Sequence, residues 1–205
     1  VGVDGDGHPL IMQNTGSDWT IAYREIRLGS TVPGQSMALR SITAWLSPIT
    51  NKLNLVAAGE RGLIVYNDGA GWNLQLQKTS QPGERCIDPG TNSLNFIDDT
   101  TKYFKISQCQ PWTINTLNSS AVQTLTTLQT DGTQREDRIF SVVGDSTATN
   151  ASTFLRASGT FTDGPYLTWA SPYTSFFSAV GAAHGVQDLR NITMNDAGGW
   201  MVSCN

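Results

Sequence analysis

The residues best suited to bind a metal ion lie at the start of the chain, in the stretch VDGDGH. Asp4 and Asp6 alternate in the way that acidic side chains begin a calcium-binding loop, in which oxygen atoms supply the ligands. The glutamate that completes such a loop is missing, and the corresponding stretch AGERG, residues 58–62, offers no comparable ligands. A turn between two strands is therefore the preferred interpretation, and we expect no metal ion and no cofactor.

Other polar residues give weak indications of catalysis. Asp98–Asp99 and Glu136–Asp137 are adjacent carboxylate pairs in expected loops, where solvated turns explain them. His8 and His184 are the only histidines, and neither has the spaced ligands of a metal site. The chain contains no defensible Ser–His–Asp order and no phosphate-binding glycine loop that enters a helix. We therefore predict no catalytic residue.

A tryptophan that follows a turn recurs along the chain. In NDGAGW, Trp72 stands five residues after Asn67, and three further copies keep this step, while a looser copy ends at Trp169. Such copies indicate a repeat architecture. The repeat positions are Asn14, Trp19, Asn67, Trp72, Ser107, Trp112, Trp169, Asn195 and Trp200.

Short strand-like runs flank every copy. An apolar run precedes each turn, and a second run lies further upstream and usually ends in a glycine turn. These runs are rich in β-branched and aromatic residues, whereas helical periodicity is nearly absent, so an all-β chain is predicted. A small sheet cannot bury its own faces, and we expect each tryptophan to fill the space between one sheet and the next.

The pattern Val-Gly-x-x-Gly, then a strand, then Asn-x-Gly-x-x-Trp-Thr resembles the BNR or Asp-box repeat of sialidases, sortilin-type receptors and photosystem II assembly factors. The resemblance implies a β-propeller-like array of about five degenerate four-stranded units in a single domain, residues 1–205. The copy at Ser107 lacks the expected acidic residue, and the copy at Trp169 is out of register. The units cover roughly residues 1–22, 53–77, 93–117, 138–172 and 176–203.

The first copy begins at its second strand, because no earlier run precedes VGVDGDG. An open array leaves an unpaired strand edge. We therefore expect that another segment or chain completes the propeller near Val1, and that these residues are an excerpt of a longer protein.

The resemblance also implies one enzymatic alternative, a sialidase-type glycoside hydrolase. Such enzymes use a tyrosine–glutamate nucleophile pair and arginines that hold the substrate carboxylate, and YREIR contains these residue types. Strand alternation would place Tyr23, Glu25 and Arg27 on one side. Arg24 would lie on the other, so a surface strand with ion pairs explains the stretch at least as well.

Composition limits the classes of partner. Charged residues make up 15% of the chain, the formal net charge is −4, and no Lys/Arg run is present. Nucleic acids and anionic membrane surfaces are therefore poor partners. No apolar run approaches the roughly 20 residues that span a bilayer. Low charge and abundant Ser, Thr and Gly favour a secreted, periplasmic or cell-surface protein.

The cysteines and sequons leave alternatives open. Cys86 and Cys109 flank one strand–turn–strand segment and either form a disulfide or, like Cys204, remain buried thiols. Asn-x-Ser/Thr sequons, of which chance alone gives one or two, occur at Asn118, Asn150 and Asn191.

The lack of a catalytic constellation favours binding. Tyr166 and Tyr173 each follow a proline in a turn-rich region and are candidate ligand-binding residues, although ordinary strand core explains them equally well. We expect a non-enzymatic recognition or adhesion module that binds glycan or protein through propeller-face loops. An assembly or structural role within a larger complex is a further alternative.

Overall fold

The computed structural model describes residues 1–25, 38–60, 63–74, 77–78, 84–87, 94–97, 103–104, 114–146, 152–159, 169–170, 189–195 and 199–204. All regular secondary structure in these ranges is β-strand, so the predicted all-β class is confirmed. Within the same ranges, no helix has the length and apolar composition needed to cross a membrane.

The strands are numbered in chain order. They are β1 Gly2–Val3, β2 Pro9–Asn14, β3 Trp19–Arg24, β4 Leu39–Leu46, β5 Leu53–Gly59, β6 Ile64–Asn67, β7 Trp72–Leu74, β8 Gln77–Lys78, β9 Glu84–Ile87, β10 Leu94–Ile97, β11 Tyr103–Phe104, β12 Ile114–Leu128, β13 Gln134–Ser146, β14 Ser152–Gly159, β15 Trp169–Ala170, β16 Leu189–Met194 and β17 Trp200–Cys204.

The described strands form six antiparallel sheets, of which four, numbered here in chain order, carry the turn–tryptophan copies. The first sheet contains β1–β3, the second β4–β7, the third β12–β15 and the fourth β16–β17. Between the second and third sheets, β9 pairs with β10 and β8 with β11. The predicted unit 93–117 is thus divided among three sheets, because it contributes β10, β11 and the start of β12. The described strands form no closed ring.

The second sheet is buried on both faces. Ala57 of β5 and Val65 of β6 share a cluster with Ile11 of the first sheet. Val56, the residue before Ala57, faces the other way and packs in a cluster with Phe140 of the third sheet. This alternation is the period of two that a pleated strand imposes, and it explains why β5 and β6 are almost continuously apolar.

The third and fourth sheets are joined by an apolar cluster and by hydrogen bonds. Phe154 of β14 packs with Leu189 and Ile192 of β16. The side-chain amide of Asn118 donates to the backbone oxygen of Leu189 (3.0 Å), and the Ser119 hydroxyl donates to the side-chain oxygen of Asn191 (2.8 Å). Two of the three sequon asparagines therefore hold sheets together.

The first strand of each four-stranded sheet passes very close to a glycine of the second strand. Leu39 of β4 pairs with Gly59, and Leu117 of β12 pairs with Gly144. A Cβ atom at Gly59 would overlap the Ala38 carbonyl oxygen and stand 2.7 Å from the Leu39 Cα. A Cβ at Gly144 would stand equally close to the Leu117 Cα. Only glycine admits this approach of two backbones.

We therefore expect Gly59→Ala and Gly144→Ala each to lower the free energy of unfolding by about 3 kcal/mol, because the added methyl group forces the paired strands apart. Denaturant unfolding followed by circular dichroism measures this loss. Gly5→Ala is the matched control, since nothing lies within 4 Å of a Cβ at Gly5. Equal stabilities of all three variants would contradict the close pairing.

Candidate functional site

Four of the predicted repeat tryptophans lie at the same place in their sheets. Trp19, Trp72, Trp169 and Trp200 are the first residues of β3, β7, β15 and β17, which are the last strands of the four sheets. The turn before the strand is held by an asparagine in three of the sheets. The side-chain oxygens of Asn14, Asn67 and Asn195 accept backbone hydrogen bonds from Gly16, Gly69 and Gly199.

Two of these tryptophans lie between sheets. The Trp72 ring stands 6.0 Å, centroid to centroid, from the ring of Tyr23 in the first sheet. The Trp200 ring stands 5.3 Å from that of Phe154 in the third sheet. Each tryptophan thus contacts an aromatic residue of the preceding sheet, an arrangement that adds about 0.5–1.5 kcal/mol to simple burial.

Trp19 lies in the sheet that has no described sheet before it, and it is 65% exposed. Ile21 beside it is 60% exposed and Met12 is 42% exposed. Leu10, half-buried, lies on the same face of the sheet. We call these four residues the outer face of the first sheet. Large apolar side chains clustered in this way on a surface mark interaction sites.

The outer face has a buried counterpart within the chain. Asn14 pairs with Trp19 across β2 and β3, as Asn67 pairs with Trp72 across β6 and β7. Leu63 and Val65, which belong to this counterpart, have no exposed surface because the first sheet covers them. On this register the outer-face residues Leu10, Met12 and Trp19 correspond in order to Leu63, Val65 and Trp72.

A groove of about 380 Å³ runs along the outer face and continues to β1. It is lined by Val1, Gly2, Val3, Leu10, Met12 and Trp19. No charged or hydrogen-bonding side chain other than the Trp19 indole N–H is among these residues. The groove therefore suits an apolar surface.

The acidic residues of VDGDGH lie in the turn between β1 and β2. Carboxylate oxygens of Asp4 and Asp6 and a ring nitrogen of His8 all lie within 4.8 Å of one another, a spacing that a metal ion would fit. However, the Arg24 guanidinium donates to both carboxylates, so the protein places its own cation there. The ion pairs of this cluster therefore hold the turn against the strand that contains Arg24.

Hydrogen bonds change the acidity of Asp4. Its partial burial by itself raises the pKa, but hydrogen bonds from the backbone and ring of His8, the backbone of Asp6 and the side chain of Arg24 outweigh this effect. The pKa falls from 3.8 to about 2. The Asp4 carboxylate is therefore a structural anchor that stays ionised in moderate acid.

Tyr23 and Glu25 lie close together and away from Arg24. The Tyr23 hydroxyl is 3.4 Å from a carboxylate oxygen of Glu25, which is itself buried. The Tyr23 ring packs into the cluster between the first and second sheets. The ring of Tyr23 therefore takes part in the contact between these two sheets. Arg27 lies outside the described residues.

Several predicted site residues lie outside the described part of the chain. They are Tyr166, Tyr173, Ser107, Trp112 and Cys109. Cys86 lies in β9, where its neighbour across the sheet is Asn95. The disulfide between Cys86 and Cys109 therefore stays a prediction, as does ligand binding by the two tyrosines.

The exposure of the outer face could not be predicted from the sequence. Leu10 and Met12, like Trp19 and Ile21, are apolar residues two positions apart in a strand, a pattern typical of a face that packs against something. The pattern gives no sign of whether another sheet covers that face. The exposure becomes apparent only when this face is compared with Leu63, Val65 and Trp72, which the structure shows packed against the first sheet.

The depressed pKa of Asp4 predicts an acid-dependent stability. Because the folded pKa, about 2, lies below the unfolded value, the contribution is complete above about pH 4 and is lost as the pH falls towards 2. Asp4→Asn should therefore weaken the fall in unfolding temperature between pH 4 and pH 2, measured by circular dichroism. Asp18→Asn is the control, and an unchanged slope in Asp4→Asn would contradict the anchoring role.

Comparisons of this chain with protein-family models, curated proteins and solved structures give no match. The likeness of the turn–tryptophan pattern to the BNR repeat therefore stays a prediction from the residues.

Proposed function

We propose that this protein is a non-enzymatic recognition module, built as a propeller-like array of BNR-type units and carried by an exported or surface protein. The antiparallel meanders, and the tryptophans at the start of their last strands, support the propeller-like arrangement. One observation carries the functional proposal. The outer face of the first sheet is exposed, although its counterpart on the second sheet is covered by a neighbouring sheet.

The chemistry of the outer face favours a protein over a glycan. Sites for small polar ligands combine apolar walls with a few hydrogen-bonding groups that fix orientation. Apart from the Trp19 indole N–H, the side chains lining the groove are aliphatic or thioether groups. A sugar would leave most of its hydroxyl groups without partners here, whereas the apolar face of another sheet would be buried favourably.

The occupant we propose is a second copy of this chain, docked outer face to outer face around a two-fold axis. An apolar sheet face is complementary to itself, and Trp19 of each copy can supply the aromatic ring that Tyr23 offers to Trp72. Arg24, which pairs with the outer-face residue Leu10 across β2 and β3, is neutralised by an ion pair with Asp6. Isologous pairing of this kind is the commonest symmetry of soluble oligomers.

The expected affinity is modest. Burial of Trp19 and Ile21 contributes roughly 1.5–3 kcal/mol for each side chain in each copy. Association itself costs about 4 kcal/mol or more. The net free energy of association is therefore at most about 8 kcal/mol, the value that corresponds to a dissociation constant of 1 μM. The dimer should be reversible, with a dissociation constant in the micromolar range or weaker.

We expect the full chain to pass reversibly from monomer to dimer as its concentration rises, measured by sedimentation equilibrium. The double variant Trp19→Ser/Ile21→Ser should remain monomeric at every concentration. It should keep its fold, because both side chains are mostly exposed.

Met201→Ser is the matched control, since Met201 is an exposed apolar residue of the fourth sheet, 72% exposed. This variant should dimerise like the wild type. A wild type that stays monomeric, or a double variant that still dimerises, would rule out the proposed contact. Saturable binding to a glycan array that the double variant loses would replace the protein partner with a sugar.

A further inference from the structure

We propose that the free edge of β1 accepts an extended strand from a partner polypeptide, which pairs antiparallel with β1 and places a leucine-like side chain opposite Gly2. The proposal goes beyond docking of the outer face, because it concerns backbone pairing at the sheet edge. Strand addition is an established mode of peptide recognition.

Among the described strands, none lies beside β1 at the place that the first strand occupies in the second and third sheets. β4 lies beside β5 and β12 lies beside β13, whereas β1 is the edge of its sheet. The register makes β1 equivalent to β5. Gly2 pairs with Leu10, four residues before Asn14, and the Gly59 amide donates to the oxygen of Leu63, four residues before Asn67.

Gly2 is therefore the counterpart of Gly59, and the two glycines differ in what surrounds them. A Cβ at Gly59 would collide with the backbone of β4, and one at Gly144 with the backbone of β12. Nothing lies within 4 Å of a Cβ at Gly2. The first sheet thus has the glycine that admits a closely approaching strand, and no described strand occupies that place.

The paired strands specify what the partner must offer. The residue opposite the glycine is Leu39 in one sheet and Leu117 in the other, and both leucines are almost fully buried. The residue after Gly59 donates its backbone N–H to the oxygen of Ala38 (2.8 Å). Val3 follows Gly2, and its N–H would donate to the partner in the same way. The open space around a Cβ at Gly2 leaves room for such a strand.

The probe is a synthetic peptide with the sequence of residues 38–46, ALRSITAWL, carrying a charged tail for solubility. Titrated into the full chain, it should bind saturably and slow the hydrogen exchange of the Val3 amide, both followed by NMR. A peptide with Asp in place of the leucine at position 39 should not bind. Failure to bind, or binding that leaves the Val3 amide unprotected, would overturn the proposal.

The decisive variant is Gly2→Ala. It should leave the stability of the free chain unchanged and weaken peptide binding at least about tenfold, since the methyl group blocks the strand as it would at Gly59. Gly5→Ala, in the nearby turn, should bind like the wild type. Equal binding to Gly2→Ala would show that the peptide binds elsewhere, for instance by exchanging with β4. Self-association of the chain without peptide, which tests the outer face, does not depend on this result.

Discussion

The burial of the second sheet on both of its faces is the constraint on which the rest of the structure depends. Val56 and Ala58 face the third sheet while Ala57 faces the first, so one short strand belongs to two apolar clusters. A sheet of this kind is stable only between two others, because each uncovered face would expose a row of apolar side chains to water. The stacking of successive sheets follows directly from this requirement.

The same requirement bears on the first and last of the described sheets. The fourth sheet turns its apolar residues towards the third, and its far side carries polar residues such as Thr193 and Ser203 beside Met201. The first sheet differs, because its far side repeats the apolar residues that the second sheet buries. Its exposed edge and exposed face are therefore two aspects of one feature, a sheet that has the surface of an internal unit and no described neighbour on that side.

Residues whose types suggested metal binding or catalysis have structural roles in this protein. Asp4 and Asp6 surround Arg24 and close the turn between β1 and β2, and the low pKa of Asp4 follows from the hydrogen bonds that this turn requires. Tyr23 is part of the contact between the first two sheets through Trp72. In both cases a polar or aromatic residue that is typical of active sites owes its position to the packing of strands.

The sequence by itself determined the all-β class, because β-branched runs bounded by glycine and asparagine permit few alternatives. It also located the turns before Trp19 and Trp72, since the asparagine that accepts a backbone hydrogen bond is a local signal. Only the tertiary structure decided which apolar faces are covered. Leu63 and Leu10 occupy equivalent positions, yet one is fully buried and the other is not, because burial depends on a neighbouring sheet distant in sequence. The same holds for Gly59 and Gly2, which only the presence or absence of a paired strand distinguishes.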